Sequence, residues 1–178
     1  MTDSVLIHDK TFIPFIKKDV IANRINEIAG AISTDYKDKN PLFLGILNGS
    51  FIFAADLFRG LTIEAEISFI KLASYKGTST TGHVVTAIGL EESLKDRHII
   101  IIEDIIDTGK TLSSFLPEIY NRQPASVAIA VFLTKPEALK HDVKADFTAF
   151  EIEDKFVVGY GLDYDGYGRN LPELYILE

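Results

Sequence analysis

The chain has 178 residues, 47% hydrophobic and 25% charged, an ordinary globular composition for one domain that buries roughly 70% of its unfolded surface without a disulfide or metal staple. It contains no cysteine, which excludes a disulfide framework, a thiolate metal site and a cysteine nucleophile. Lys+Arg 18 against Asp+Glu 26 leaves a net charge of −8, a poor basis for generic binding to nucleic acid or to an anionic membrane, and no apolar run approaches the roughly 20 residues that span a bilayer.

In chain order, Ile21, Ile25, Ile28, Ala29 and Ile32 recur at helical spacing and mark one apolar face. Leu42 to Leu47 reads as a buried strand. Asn48-Gly49 then turns the chain into Ser50, and Phe51 to Arg59 reads as a short helix closed by Gly60. Ile63, Ala65, Ile67 and Phe69 alternate with polar residues, which predicts a strand over 63–69. Gly77 to Gly82 is a Gly/Ser/Thr-rich polar loop. Ile99 to Ile102 is an unbroken β-branched run, the mark of a strand covered on both faces. Asp104 to Thr111 reads as a loop, and Leu112, Phe115, Leu116 and Ile119 as the stripe of a following helix. Pro117 is expected to kink that helix or to sit where the lost hydrogen bond is tolerated. Val127 to Leu133 is a second buried strand, and Phe156 to Val158 a short third one.

Strand, helix and strand joined by short connections predict an α/β fold with a mainly parallel central sheet. Ligands of such sheets bind at the carboxyl ends of the strands. That rule singles out Asn48 to Ser50, Glu103 to Thr111, and Thr134 to Pro136. The N-terminal Met1-Thr2-Asp3-Ser4 lacks the basic start and apolar core of a signal peptide, so a cytoplasmic location is the expectation.

The chemistry concentrates in Ile99 to Thr111. A buried strand delivers Glu103 and Asp104, and a tight polar loop leads into a helix N-terminus. There Thr108, Gly109, Lys110 and Thr111 can offer backbone N–H groups and hydroxyls to a phosphate, aided by the helix dipole. Gly109-Lys110-Thr111 ends like a P-loop, but the first glycine of that motif would fall at Asp104, so the motif fails and nucleotide hydrolysis falls with it. Two adjacent carboxylates repel a phosphate on their own. They fit a ligand that also presents sugar hydroxyls, or a Mg2+ ion that bridges to it. A phosphorylated sugar satisfies both halves of the segment. The plainer alternative is an acidic loop that only caps the next helix.

Glu103-Asp104-Ile105-Ile106-Asp107-Thr108-Gly109-Lys110-Thr111 resembles the phosphoribosyl-diphosphate signature of type I phosphoribosyltransferases, in the form of the hypoxanthine/guanine branch. Leu47-Asn48-Gly49-Ser50 resembles that family's pyrophosphate loop, and Ala73-Ser74-Tyr75 the start of its catalytic lid. Phe150 to Ile152, Lys155 to Tyr164 and Arg169-Asn170-Leu171 resemble its purine pocket and the end of that pocket. The resemblance implies a single domain over 1–178, with a small hood contributed by the N-terminal segment and about 150–178. It also implies transfer of phosphoribosyl from 5-phosphoribosyl diphosphate to hypoxanthine or guanine, with Mg2+ as cofactor and a homodimer or homotetramer as the assembly.

By the same resemblance, Glu103 and Asp104 hold the ribose hydroxyls, and Thr108 to Thr111 wrap the 5′-phosphate. Asp107 is the catalytic base, or stabilises a protonated ring, near the purine N7. Lys135 donates to the purine 6-oxo group, Phe156 stacks on the base, and the Val157 backbone reads its edge. Asp163 lies at the purine and metal side, with Glu103 and Asp104 as further metal candidates. Asn48, Gly49 and Arg169 receive pyrophosphate, and Ser74 and Tyr75 belong to the lid. Asn48 departs from the family's usual lysine, which removes a charge but leaves the loop N–H groups of Gly49 and Ser50.

The histidines, His8, His83, His98 and His141, have no metal-ligand spacing. The alternative function is a phosphoribosyl-diphosphate-sensing regulatory protein that binds RNA, and the net charge of −8 without an arginine cluster speaks against it.

Overall fold

The computed structural model describes residues 4–75 and 84–178. The chain opens with a hairpin of β1 (Val5–Ile7) and β2 (Lys10–Ile16), followed by helix α1 (Lys18–Asp35). Strand β3 (Leu42–Leu47) leads into α2 (Phe51–Arg59), and β4 (Glu66–Tyr75) pairs antiparallel with β5 (Val84–Ile88). Then come β6 (His98–Ile106), α3 (Lys110–Asn121), β7 (Ser126–Thr134) and a 3-10 turn at Pro136–Ala138. Strands β8 (Phe147–Glu151), β9 (Val157–Val158) and β10 (Leu174–Leu177) complete it.

A six-stranded sheet has the order β5-β4-β3-β6-β7-β8, parallel throughout except for β5. Its two faces are covered separately. The stripe of α1 (Ile21, Ile25, Ile28, Ala29, Ile32) and Phe53, Ala54 and Leu57 of α2 pack on one face, together with Ile100 and Ile102. Leu112, Phe115 and Ile119 of α3 pack on the other, together with Ile99 and Ile101. Alternate residues of β6 therefore meet one apolar layer or the other, which is why Ile99 to Ile102 is a continuous isoleucine run. Each such side chain contributes about 1.5–3 kcal/mol of burial.

A second, four-stranded sheet, β1-β2-β10-β9, joins the two ends of the chain. Its connecting loop comes close to the carboxyl end of β3, with Gly161 against the Gly49 carbonyl. Val158, Phe12 and Tyr175 form its own small core, while Val157, Leu174 and Ile176 pack into the α1/α2 side of the main core.

Three boundaries differ from expectation. Strand β4 begins at Glu66 rather than Ile63, because its ladder with β3 starts at Leu42↔Glu66; Ile63 and Ala65 pack against the core without pairing. Strand β6 runs to Ile106, because its ladder with β7 continues through Ile105↔Leu133 and Ile106↔Thr134, leaving only Asp107 to Gly109 as loop. Val157–Val158 belongs to the second sheet, antiparallel to β10, and not to the parallel one. Helix α3 continues through Pro117 to Asn121. The Gly77 to Gly82 loop lies outside the described residues.

Candidate active site

Parallel strands end on the same side of a sheet, so β3, β6 and β7 deliver Asn48, Asp107 and Lys135 to one edge. After β3, Ser50 is buried and its hydroxyl donates to the Ile46 carbonyl at 2.6 Å, which folds the chain tightly into α2. The Leu47–Asn48 peptide is cis. At Gly49 the backbone meets Asp104 so closely that a Cβ would land on its carboxylate. A Cβ on Gly161, whose φ is +102°, would land on the Gly49 carbonyl. Glycine is required at both places. These approaches join the β3 loop, the strand acids and the second sheet's long loop into one wall.

Glu103 and Asp104 are neighbours on a strand and so point to opposite faces. Asp104 turns to Gly49, accepts a hydrogen bond from the Ile105 N–H at 2.9 Å and feels the charges of Arg169 and Asp163. Burial pushes its carboxyl up, and the hydrogen bonds and Arg169 partly oppose that. Glu103 turns to the phosphate-type loop. Burial, reinforced by the Asp104 charge, holds its carboxyl well above the usual carboxylate range. Its Oε2 is buried without a hydrogen-bond partner among the described residues.

The Asp107–Gly109 loop and the start of α3 line a cavity of about 210 Å³ together with Glu103. Gly109, at φ 77°, caps α3 without a side chain; the Lys110 N–H donates to the Thr108 hydroxyl at 3.4 Å, and the helix N-terminus opens on this cavity. The loop is held from behind: the Lys140 and His141 N–H groups both donate to the Thr108 carbonyl, at 3.0 and 3.1 Å.

Lys135 is the buried cation of the site, its side chain 8% exposed. Its ammonium donates to Asp107 at 3.4 Å and to Asp154 at 3.1 Å. Phe156, 43% exposed, packs edge-on to Tyr164, and Lys10 lies over both rings, 5.6 Å from Phe156 and 4.5 Å from Tyr164. Val157 is buried on β9. Asp163 pairs with Arg169 at 2.6 Å and accepts from the Gly166 N–H at 2.7 Å, while Arg169 also donates to the Gly161 carbonyl at 2.6 Å.

The structure thus gathers Asn48-Gly49 with Asp104 and Gly161, Asp107 with Lys135, and Asp163 with Arg169. It sets Glu103 apart from Asp104, and among the described residues no three His, Cys, Asp or Glu side chains form a metal-holding group. Ser74 and Tyr75 end β4, paired through their backbones with Val85 and Val84.

Asp154, Lys10, Tyr160 and Asp56 are additions that the sequence reading missed. The Tyr160 hydroxyl donates to Asp56 of α2 at 2.6 Å, a bond that ties the second sheet's loop to the helix after Gly49. Only the position of Asp154, two residues before Phe156, hinted at its place.

A family model described as the phosphoribosyl transferase domain matches residues 17–165. The chain is 41% identical over 165 residues, 92% of its length and 91% of the relative's, to a hypoxanthine-guanine phosphoribosyltransferase of Bacillus subtilis. It is 34% identical over 179 residues, 100% of this chain and 97% of the relative, to a hypoxanthine-guanine-xanthine phosphoribosyltransferase of Tritrichomonas foetus. Its fold is similar to the crystal structure of a hypoxanthine phosphoribosyltransferase from Staphylococcus aureus, with a TM-score of 0.86 at 35% identity over 93% of this chain and 90% of that one.

Proposed function

The chain belongs to the phosphoribosyl transferase domain family, and from that premise we propose that it transfers the 5-phosphoribosyl group of phosphoribosyl diphosphate to a 6-oxopurine in purine salvage. Hypoxanthine gives IMP and guanine gives GMP, with pyrophosphate released. The observation that carries the choice of base is the buried Lys135 ammonium, 3.4 Å from Asp107, which itself lines the phosphate-type cavity. A fixed donor there complements a 6-oxo acceptor and opposes the 6-amino donor of adenine.

In this reading a purine ring nitrogen attacks C1 of the ribose while the C1–O bond breaks and its electron pair leaves with pyrophosphate. The transition state resembles an oxocarbenium ion, so positioning and electrostatics carry the catalysis. The N–H groups of Thr108 to Thr111 hold the 5′-phosphate, and Glu103 and Asp104 accept from the ribose hydroxyls. The orphaned Oε2 of Glu103 supports that role, since a hydroxyl would satisfy it. Asp107 takes the proton that leaves the purine ring, Lys135 donates to the 6-oxo group, and Phe156 stacks on the base. The Val157 backbone reads the base edge, Asn48, Gly49 and Arg169 receive the pyrophosphate, and Ser74 and Tyr75 start the lid.

Mg2+ bound with a diphosphate needs one or two carboxylates and keeps its remaining ligands as water and phosphate oxygen. The hard oxygens of Asp104 and Asp163, which repel one another across the site, fit that demand, and Glu103, on the opposite face of the strand, is the remaining candidate. Bound there, the ion would withdraw charge from the leaving diphosphate. A cytoplasmic homodimer or homotetramer acting on these small molecules, without nucleic acid or membrane, completes the proposal. Among the described residues no helix is long and apolar enough to cross a membrane.

The test is product formation. Purified protein with Mg2+ and phosphoribosyl diphosphate is expected to convert hypoxanthine and guanine to their monophosphates, and to leave adenine unchanged. Saturable binding of the sugar diphosphate with no product from any base would overturn the reading.

A further inference from the structure

We propose that Asp154, on the turn between β8 and β9, is a positioning residue for the purine: it holds the Lys135 ammonium as a second counterion and so leaves Asp107 free to face the base. This role rests on the 6-oxopurine reading above.

A lysine whose side chain is 8% exposed keeps its charge only with carboxylate partners close by. An ammonium has three N–H donors. Two are engaged, at 3.1 Å by Asp154 and at 3.4 Å by Asp107, which leaves the third for the purine oxygen. The shorter bond goes to the residue with no assigned part in the chemistry.

The turn that carries Asp154 is built to hold it there. The Ile152 N–H donates to the Thr134 carbonyl at 2.9 Å, which anchors the turn to the residue just before Lys135. Ile152 is buried in the main core, and the turn closes with the Lys155 N–H donating to the Glu153 carbonyl at 2.7 Å. Two residues on, Phe156 presents its ring. One short segment therefore sets both the ammonium and the stacking surface. Without Asp154, Asp107 is the one carboxylate left to Lys135 among the described residues, and moving onto it would draw the ammonium off the purine oxygen and occupy the base.

Asp154→Asn is expected to raise the KM for hypoxanthine and lower kcat, together about tenfold in kcat/KM, the worth of one charge-assisted hydrogen bond. The KM for phosphoribosyl diphosphate stays unchanged, and Asp154→Glu recovers part of the loss. In a Lys135→Met background, Asp154→Asn is expected to cost nothing further, because the group it positions is gone. Asp154→Ser serves as a second variant, with thermal midpoints to verify folding. Equal losses in the two backgrounds, or a loss confined to the sugar diphosphate, would overturn the role while the function stands. A wild-type protein inactive with every base overturns the function and the role together.

Discussion

Glu103 sits where a carboxylate is least at ease, buried beside Asp104 with one oxygen unpaired among the described residues. Its carboxyl stays protonated in the folded chain at pH values where the unfolded chain, near its ordinary 4.5, has released the proton. The native state then binds more protons than the unfolded one. The stability this provides is full below the ordinary value and lost as pH rises through the raised one. Glu103→Gln, measured without ligand, is expected to flatten the fall of the thermal midpoint as pH rises above the ordinary carboxylate value, and to raise the midpoint by about 2–4 °C once the wild-type carboxyl has ionised. Parallel curves for the two proteins would refute this. Asp107 gives a second residue-scale prediction. Replacing it with Asn should lower kcat by about 10²–10⁴ while affinity for phosphoribosyl diphosphate is kept, read by steady-state kinetics and calorimetry.

The acids and the threonines stand in one short motif and Lys135 at the end of a buried strand, and for those reasons the sequence singled them out. The pairing of Tyr160 with Asp56 was not, since its partners lie 104 positions apart and neither residue type is unusual where it stands. Asp154 was equally hidden: it stands among segments that resemble the purine pocket, but nothing in the sequence pairs it with Lys135, 19 positions away.

At the scale of elements, the site depends on how closely two loops approach. Gly161→Ala puts a side chain at φ +102° against the Gly49 carbonyl. It is expected to cost about 1–3 kcal/mol in denaturant unfolding and, if the proposed site is right, to weaken phosphoribosyl diphosphate binding, because the Asn48-Gly49 loop must shift. A variant with unchanged stability and affinity would contradict the packing described. Elements with unbroken or strictly periodic apolar patterns were readable: α1, α2, β3, β6 and β7 appear close to where periodicity put them. Pattern alone missed β1, β2, β5, β8 and β10. Phe147-Thr148-Ala149-Phe150-Glu151 shows no clean alternation, and β10 is held by partners from the other end of the chain. Strand ends were misjudged where pairing with a neighbour, rather than the strand's own residues, sets the boundary.

For the whole molecule, two sheets divide the work. In the proposed reading the central sheet would carry the phosphate and sugar contacts, while the second sheet, made from both chain ends, would carry Phe156 and the purine side. Ile176, buried on β10 between Ile13 and Val157, is the seam of that second sheet. Ile176→Asp places an unpaired charge there and is expected to raise the KM for hypoxanthine far more than that for phosphoribosyl diphosphate, with a lower thermal midpoint. Equal rises would mean that the sheets do not act separately. The α/β class and the strand-end location of the site follow from the order of elements alone. The strand order and the hood's pairing do not, because they are set by contacts between residues as distant as Phe12 and Leu177.

The most direct test of the account is a single-turnover reaction of the wild type and Asp107→Asn with Mg2+, saturating phosphoribosyl diphosphate and labelled hypoxanthine. The account predicts one pyrophosphate released for each IMP formed, and the same product at a rate about 10²–10⁴ lower in the variant. Equal rates in the two proteins, or pyrophosphate released without IMP, would contradict it.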